Sequence, residues 1–160
     1  MDILKILHYA LGREKEGKAF FVANASRLQN AAAAHAFTAI ADEEQRHIDF
    51  IEHQISLHAG SAPAEEPSLP PAGYFADRAE SESISQTVAE SMVADLPVLR
   101  MAYLIERDFA EFYANAAERA DGEAKKVLEM LAKWESGHEK LFKRLHDETF
   151  EKYTDMPWGG

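Results

Sequence analysis

Residues 40–51 read IADEEQRHIDFI, and residues 131–142 read LAKWESGHEKLF. Both segments hold a Glu-x-x-His motif inside an apolar series, and both series advance by steps of +4, +3 and +4 residues. The two series are Ile40, Glu44, His47, Ile51 and Leu131, Glu135, His138, Phe142. Such steps keep to one face of an α-helix. Each segment is therefore predicted to be a helix that turns a carboxylate and an imidazole towards the core.

The segments that precede these motifs repeat each other as well. Five residues near the start of the chain recur with similar chemistry 92 positions later. They are Leu7, Ala10, Glu14, Phe20 and Phe21, which correspond to Leu99, Ala102, Glu106, Phe112 and Tyr113. The repeat predicts a duplicated unit of two helical hairpins, each with one buried glutamate and one buried Glu-x-x-His motif.

Proline and glycine separate the two predicted hairpins. The stretch from Gly60 to Gly73 contains four of the six prolines, so it cannot be helix interior. It opens a predicted connection over residues 60–95, in which a weaker helical pattern runs from about Asp77 to Ala94. A connection of this length can cross from one end of a helical bundle to the other.

Further breaks are predicted near Asn30, at Asp121-Gly122 and at Asp95-Leu96-Pro97, where Asp95 has the character of an N-cap before a proline in the first turn. The predicted helices cover residues 2–28, 30–59, 96–120 and 122–152, and a tail covers residues 154–160. Residues 1–160 are therefore predicted to form one all-α domain, an antiparallel four-helix bundle with one long crossover. That is the ferritin-like arrangement.

Composition restricts the chemistry that this chain can perform. Its 160 residues include no cysteine, which excludes disulfides, iron–sulfur clusters and thiol nucleophiles. Any metal must therefore be bound by Asp, Glu or His. A net charge of −11 argues against a nucleic-acid partner. The sequence opens without the features of a secretory signal and has no apolar stretch of roughly 20 residues, so a cytoplasmic protein without membrane contact is expected.

Four glutamates on inward-facing stripes require a compensating charge, because an isolated buried carboxylate costs several kcal/mol. Two divalent cations would balance the four negative charges. In this hypothesis Glu44 and Glu135 bridge the two metals, His47 and His138 each cap one metal, and Glu14 and Glu106 are terminal ligands. The alternative is a plain bundle in which Lys or Arg neutralises the glutamates, but those stripes carry no Lys or Arg.

Four segments of the chain resemble the helices of rubrerythrin-like proteins of the ferritin-like superfamily. Residues 14–21 (EKEGKAFF) and 106–113 (ERDFAEFY) resemble the first and third helices of that family. Residues 43–47 (EEQRH) and 135–138 (ESGH) resemble its second and fourth. The resemblance implies a di-iron centre that reacts with hydrogen peroxide or dioxygen, and it favours a homodimer.

The sequence departs from that family at two points. Rubrerythrins carry a cysteine-ligated rubredoxin domain that delivers electrons, and this chain has no cysteine. They also have an additional carboxylate about one turn from the glutamate of the third helix, where this chain has Tyr103 and Phe109. A simpler site with six ligands is therefore expected. Tyr113 is either a neighbour that hydrogen-bonds a ligand or a core tyrosine, and Glu43 either lies on the surface or contacts a ligand.

The leading hypothesis is a di-iron oxidoreductase of the peroxidase or ferroxidase type, which would need an electron donor that the sequence does not identify. A non-catalytic module that binds or delivers iron is the first alternative. A manganese or zinc site is the second, because this set of ligands does not select its metal. A purely structural bundle is the third. The remaining histidines, His8, His35, His53, His58 and His146, are expected to lie outside the site.

Overall fold

The computed structural model describes residues 3–60 and 90–155. These ranges form four α-helices and contain no strand, which confirms the prediction of an all-α four-helix fold. The helices are α1 (Ile3–Ala25), α2 (Ala31–His58), α3 (Leu96–Ala117) and α4 (Gly122–Thr154). A short 3-10 helix, Glu90–Asp95, leads into α3. Most of the predicted connection, including the weak helical pattern that begins near Asp77, lies outside the described residues, as does nearly all of the tail.

The turn between α1 and α2 lies at the helix break that the sequence predicts near Asn30. Asn30 is the N-cap of α2, and its side-chain oxygen accepts hydrogen bonds from the backbone N–H groups of Ala32 (2.8 Å) and Ala33 (3.2 Å). These bonds satisfy donors that a helix start leaves without partners. Helix α1 ends at Ala25, three residues earlier than predicted. The tight turn makes α1 and α2 an antiparallel hairpin.

Asp95 differs from the prediction. It precedes α3, but its side chain makes no hydrogen bond to the first turn of that helix. The carboxylate instead accepts hydrogen bonds from the backbone N–H of Gln29 (3.0 Å) and of Asn30 (2.8 Å). Buried donors in a turn need such an acceptor. Asp95 therefore joins the start of the second hairpin to the turn of the first.

The second hairpin, α3 and α4, has the predicted breaks at both ends of α3. Pro97 lies in the first turn of α3, where a missing N–H costs nothing. Gly122 begins α4 with φ +60, a left-handed conformation that favours glycine. No helix in the described ranges is long and apolar enough to cross a membrane.

Two apolar clusters fill the bundle, one towards each end. The first includes Phe21, Phe37 and Phe142, whose ring centroids lie 5.1 to 5.3 Å apart. The second includes Leu7, Ile51, Tyr113, Leu128 and Leu131. Between these clusters, each helix contributes buried polar residues near its middle. The fold therefore places a polar layer inside an apolar core.

Candidate metal centre

The polar layer consists of the six residues that the sequence singles out. The glutamates are 0% exposed, and His47 and His138 are 2% and 6% exposed. They are Glu14 on α1, Glu44 and His47 on α2, Glu106 on α3, and Glu135 and His138 on α4. Each hairpin thus supplies three of the six side chains.

The six residues divide into two overlapping groups, each with ligand atoms within 4.8 Å of one another. The first group is Glu14, Glu44, His47 and Glu135. The second group is Glu44, Glu106, Glu135 and His138. Both groups contain Glu44 and Glu135. A metal ion in each group would share these two carboxylates, which is the bridging arrangement expected for a two-metal bundle.

Both imidazoles direct Nδ1 towards the carboxylates. Nδ1 of His47 lies 2.9 Å from Oε1 of Glu135 and 3.2 Å from Oε2 of Glu14. Nδ1 of His138 lies 3.3 Å from Oε1 of Glu44 and 3.6 Å from Oε2 of Glu106. The two rings are nearly parallel, with centroids 5.3 Å apart and planes inclined by 8°. Each histidine therefore presents the same nitrogen to its own group of carboxylates.

Most of the buried carboxylate oxygens have no hydrogen-bond partner in the described part of the chain. By distance and angle, neither side-chain oxygen of Glu44, Glu106 or Glu135 accepts a hydrogen bond within the described ranges, and Nδ1 of His138 makes none there. The close approach of Nδ1 of His47 to Oε1 of Glu135 is an ion-pair contact that lacks the geometry of a hydrogen bond. A plain bundle would need Lys or Arg side chains to neutralise these three glutamates. In the described part of the chain, no Lys or Arg makes a hydrogen bond to any of them. Unpaired buried acceptors are costly, and divalent cations satisfy carboxylate oxygens and imidazole nitrogens together. The residues present fit a pair of metal ions.

The electrostatics of the metal-free cluster favour bound protons. Burial, followed by the negative charge of Glu135, raises the pKa of both Glu14 and Glu106 well above its usual range. Burial alone would lower the pKa of His47, but the charges of Glu135 and Glu44 outweigh it and raise that pKa. Burial would raise the pKa of Glu135, but His47 and then His138 lower it. Protons thus provide the positive charge that cations would replace.

Tyr113 makes the two halves of the centre different. Its buried hydroxyl donates a hydrogen bond to Oε1 of Glu14. Burial and the charge of Glu14 raise the pKa of the Tyr113 phenol, so it keeps its proton. The residue related to Tyr113 by the internal repeat is Phe21, which has no hydroxyl. Of the two interpretations left open by the sequence, the structure favours a neighbour that hydrogen-bonds a candidate ligand.

Glu43 and Trp134 contact the two histidines in different ways. Oε2 of Glu43 lies 2.8 Å from Nε2 of His138. Trp134 stacks on His47, with ring centroids 4.3 Å apart and planes inclined by 10°. Each residue directly precedes the glutamate of a Glu-x-x-His motif, and that shared position is the signal that could have marked both as neighbours of the cluster.

Gly17 and Phe109 form one wall of the centre. A Cβ atom at Gly17 would lie 3.1 Å from Cε2 of Phe109 and 3.8 Å from Oε2 of Glu44. Phe109 occupies one of the positions where the family resemblance implies an additional carboxylate. Its ring also lines a pocket of about 240 Å³ between α1 and α3, with the guanidinium of Arg13 5.3 Å from the ring centroid. The other lining residues are Tyr9, Asp108, Phe112 and Tyr113.

The remaining histidines lie outside the centre, as predicted. His8, His35, His53 and His58 are exposed or partly exposed. His146 is partly buried, and its Nδ1 lies 3.0 Å from Oδ1 of Asp147. None of the five belongs to either group of candidate ligands in the described ranges.

Comparisons with known proteins agree with this architecture. A solved structure of a hypothetical protein from Pyrococcus furiosus aligns with 94% of this chain and 92% of its own, with a TM-score of 0.68 and 20% sequence identity. At that identity the likeness concerns the fold. No curated protein matches the sequence. The family model for rubrerythrin matches residues 5–146, a span that contains all six residues of the cluster. The chain belongs to the rubrerythrin family.

Proposed function

We propose that this protein is a di-iron oxidoreductase that reacts with hydrogen peroxide or dioxygen, as a peroxidase or a ferroxidase. One observation carries the proposal. Two groups of buried ligand atoms share Glu44 and Glu135, and the oxygens of both shared carboxylates have no hydrogen-bond partner among the described residues. Such an arrangement is costly unless protons or metal ions compensate the negative charge, and membership of the rubrerythrin family supports iron as the metal.

The geometry suggests a role for each of the six side chains. Glu14 and His47 would hold one ion, and Glu106 and His138 would hold the other. Glu44 and Glu135 would lie between the ions, because each belongs to both groups. Four carboxylates and two divalent cations together carry no net charge. Bound iron would supply the electrons, one from each Fe(II), that reduce peroxide or dioxygen.

The chain itself controls water and protons around the centre. The apolar clusters at both ends of the bundle exclude bulk water from the polar layer. Reduction of one hydrogen peroxide to two water molecules consumes two electrons and two protons. The hydroxyl of Tyr113 holds a proton beside Glu14 at the edge of this layer. Because Tyr113 and Phe109 also line the pocket between α1 and α3, this pocket is the approach that we propose for a small oxidant.

A non-catalytic iron-binding module is the second candidate. It is favoured by one specific feature, since the 160 residues contain no cysteine to ligate an electron-transfer centre. Peroxidase turnover would need an electron donor outside these 160 residues, and we include such a donor in the proposal. We also include the homodimer that the family resemblance favours. Zinc or manganese would suit the same ligands, because oxygen and imidazole donors do not select among these metals.

The test begins with anaerobic loading of the protein with Fe(II) and a measurement of metal per chain. We expect close to two ions per chain, followed by an increase in near-ultraviolet absorbance when peroxide or air is added. Glu44→Ala should abolish both results. The matched control is Glu52→Ala on the same helix, an exposed residue that pairs with Lys15. Wild-type protein that binds no Fe(II), or Glu44→Ala protein that oxidises Fe(II) normally, would refute the proposal.

A further assay separates the two candidates. Peroxide is added repeatedly to the iron-loaded protein in the presence of a chemical reductant, and its consumption is measured. More than one peroxide consumed per pair of irons indicates a catalyst. A single round of oxidation indicates an iron-handling module.

A further inference from the structure

Glu43 lies on α2 but contacts a candidate ligand on α4. Its Oε2 is 2.8 Å from Nε2 of His138, while Nδ1 of the same ring faces Glu44, Glu106 and Glu135. A neutral imidazole has one N–H donor and one nitrogen with a free lone pair. When Nε2–H donates to Glu43, the lone pair is on Nδ1 and points into the cluster. A carboxylate in this position orients a metal-binding histidine and makes it a stronger ligand.

The other histidine has a different neighbour at the related position. Trp134 corresponds to Glu43 in the internal repeat, and it stacks face to face on His47. Stacking fixes the plane of the ring, but an indole carries no negative charge and cannot accept an N–H in the plane of the imidazole. His138 therefore gains an anionic partner from the opposite hairpin, whereas His47 gains an apolar cover.

The terminal glutamates differ in the same direction. Oε1 of Glu14 accepts the hydroxyl of Tyr113, so a metal ion in that half competes with an existing hydrogen bond. Both oxygens of Glu106 are without a hydrogen-bond partner in the described ranges. The half that contains Glu106 and His138 thus offers a free carboxylate and an oriented imidazole.

We infer that Glu43 is a positioning residue for His138, and that it makes the metal position of Glu106 and His138 bind its ion first and more tightly than the position of Glu14 and His47. This inference rests on the proposed two-metal site. It adds an order of loading and a residue that sets this order.

The test is an anaerobic titration of the metal-free protein with Co(II), followed by the visible absorption of the bound ion. Wild-type protein should bind two Co(II) in two separable steps. Glu43→Gln keeps the shape of the side chain but removes its charge, and Glu43→Ala also removes the acceptor. Both should weaken the tighter step by about 10- to 100-fold, with Glu43→Ala the more severe, and leave the weaker step unchanged. Glu52→Gln removes the same charge from an exposed position of α2 and should change neither step.

Proton NMR of the Co(II)-loaded protein tests the contact between Glu43 and His138 directly. If Glu43 only stabilised the fold, its substitution would not selectively change the N–H signal of one histidine. The exchangeable ring N–H of each metal-bound histidine gives its own strongly shifted signal. In Glu43→Gln protein, only one of these two signals should move and exchange faster with solvent. His138→Ala should remove that same signal, which assigns it to His138.

The outcomes distinguish this inference from the proposed function. Two Co(II) bound with equal affinity by the wild-type protein, or a Glu43→Gln titration identical to the wild type, would overturn the inference and leave the two-metal site intact. A Glu43→Gln protein in which both steps are weakened equally would overturn the inference in the same way. Wild-type protein that binds no Co(II) and no Fe(II) would overturn the two-metal site, and the inference with it.

Discussion

Gly17 and Phe109 occupy corresponding positions in the two hairpins, each three residues after a terminal glutamate, and the ring of Phe109 fills the space that a side chain at Gly17 would need. A Cβ atom at Gly17 would lie only 3.1 Å from Cε2 of Phe109, which is tighter than ordinary van der Waals contact. The ring is 4% exposed and belongs to the second apolar cluster, so a shift towards the pocket between α1 and α3 would give up part of its packing in that cluster.

Gly17→Ala should therefore destabilise the protein, although alanine favours a helix by about 1 kcal/mol over glycine. Overpacking of a filled core costs about 1–3 kcal/mol, which outweighs that gain. In a Phe109→Ala background the contact is absent, and the same substitution should stabilise the protein by about 1 kcal/mol. Urea denaturation of the four proteins in this cycle measures the coupling. Equal effects of Gly17→Ala in both backgrounds would contradict a packing conflict at this position.

The metal-free protein should lose stability as the pH rises. The folded-state pKa values of Glu14 and Glu106 are raised above the ordinary 4.5, and those of His47 and His138 above the ordinary 6.5. Above pH 4.5 the folded chain thus binds more protons than the unfolded chain, so this contribution is complete at low pH and is lost as the pH passes through the raised values. Metal requires deprotonated ligands and should reverse the trend.

Thermal melting of metal-free and Zn(II)-loaded protein across this pH range checks the prediction. The melting temperature of the metal-free form should fall with pH, while the increase caused by Zn(II) should grow. Glu106→Gln mimics a permanently protonated glutamate and should flatten the metal-free profile. A metal-free melting temperature that rises with pH above the ordinary glutamate value would show that the cluster does not hold these protons.

Asp95→Ala should destabilise the junction between the hairpins. The substitution leaves the buried N–H groups of Gln29 and Asn30 without their acceptor, at a cost of about 1–3 kcal/mol. Asp95→Asn retains one side-chain oxygen and should lose less. Chemical denaturation of both variants provides the comparison, and an Asp95→Ala protein as stable as the wild type would exclude this role.

Tyr113→Phe should increase the stabilisation that a metal ion provides. The substitution removes only the hydroxyl that donates to Glu14, so Oε1 of Glu14 becomes free for a metal. In the metal-free form the free energy of unfolding should fall by about 1–3 kcal/mol, because Oε1 of Glu14 is then an unpaired buried acceptor. Melting temperatures with and without Zn(II) measure both effects. Tyr103→Phe, on the same helix but outside the cluster, is the matched control and should leave the metal-induced shift unchanged.

Trp134 should report metal binding directly. Its ring stacks on His47 at 4.3 Å, so a paramagnetic ion on that histidine will quench its fluorescence. A Trp158→Phe variant leaves Trp134 as the single tryptophan of the chain. If the position of Glu106 and His138 fills first, the second Co(II) should cause most of the quenching. Quenching that is complete after the first ion would contradict that order.

The sequence was sufficient to predict the helices and the six clustered residues. Glu44 and Glu135 are visible because a charged residue in an apolar stripe is unusual, and because the pattern repeats in the same register in both hairpins. Each of these signals can be read along the sequence of a single helix and then compared between the two hairpins. The structure brings the six side chains together as the repeat predicted, which leaves their role as ligands to experiment.

The partners of side chains that reach from one hairpin to the other could not be predicted in the same way, although the sequence left open that Glu43 contacts a ligand. Glu43 points about 100° away from Glu44 around its own helix, and its contact with His138 depends on how α2 and α4 cross. Asp95 follows the local rule for an N-cap, but it instead binds the turn 65 and 66 residues away. In both cases a tertiary partner decides what the side chain does, and no periodicity along one helix encodes that partner.

The contact of Gly17 with Phe109 requires that the two hairpins differ in sequence at matching positions. Two identical hairpins, associated about a two-fold axis, would place the same residue at both positions. Two phenylalanines would collide there, and two glycines would leave a hole beside Glu44. A large residue opposite a small one is possible only because the two halves are encoded separately within one polypeptide. A single chain with two unlike hairpins can therefore pair a large residue with a small one at matching positions beside the centre, which a pair of identical hairpins cannot do.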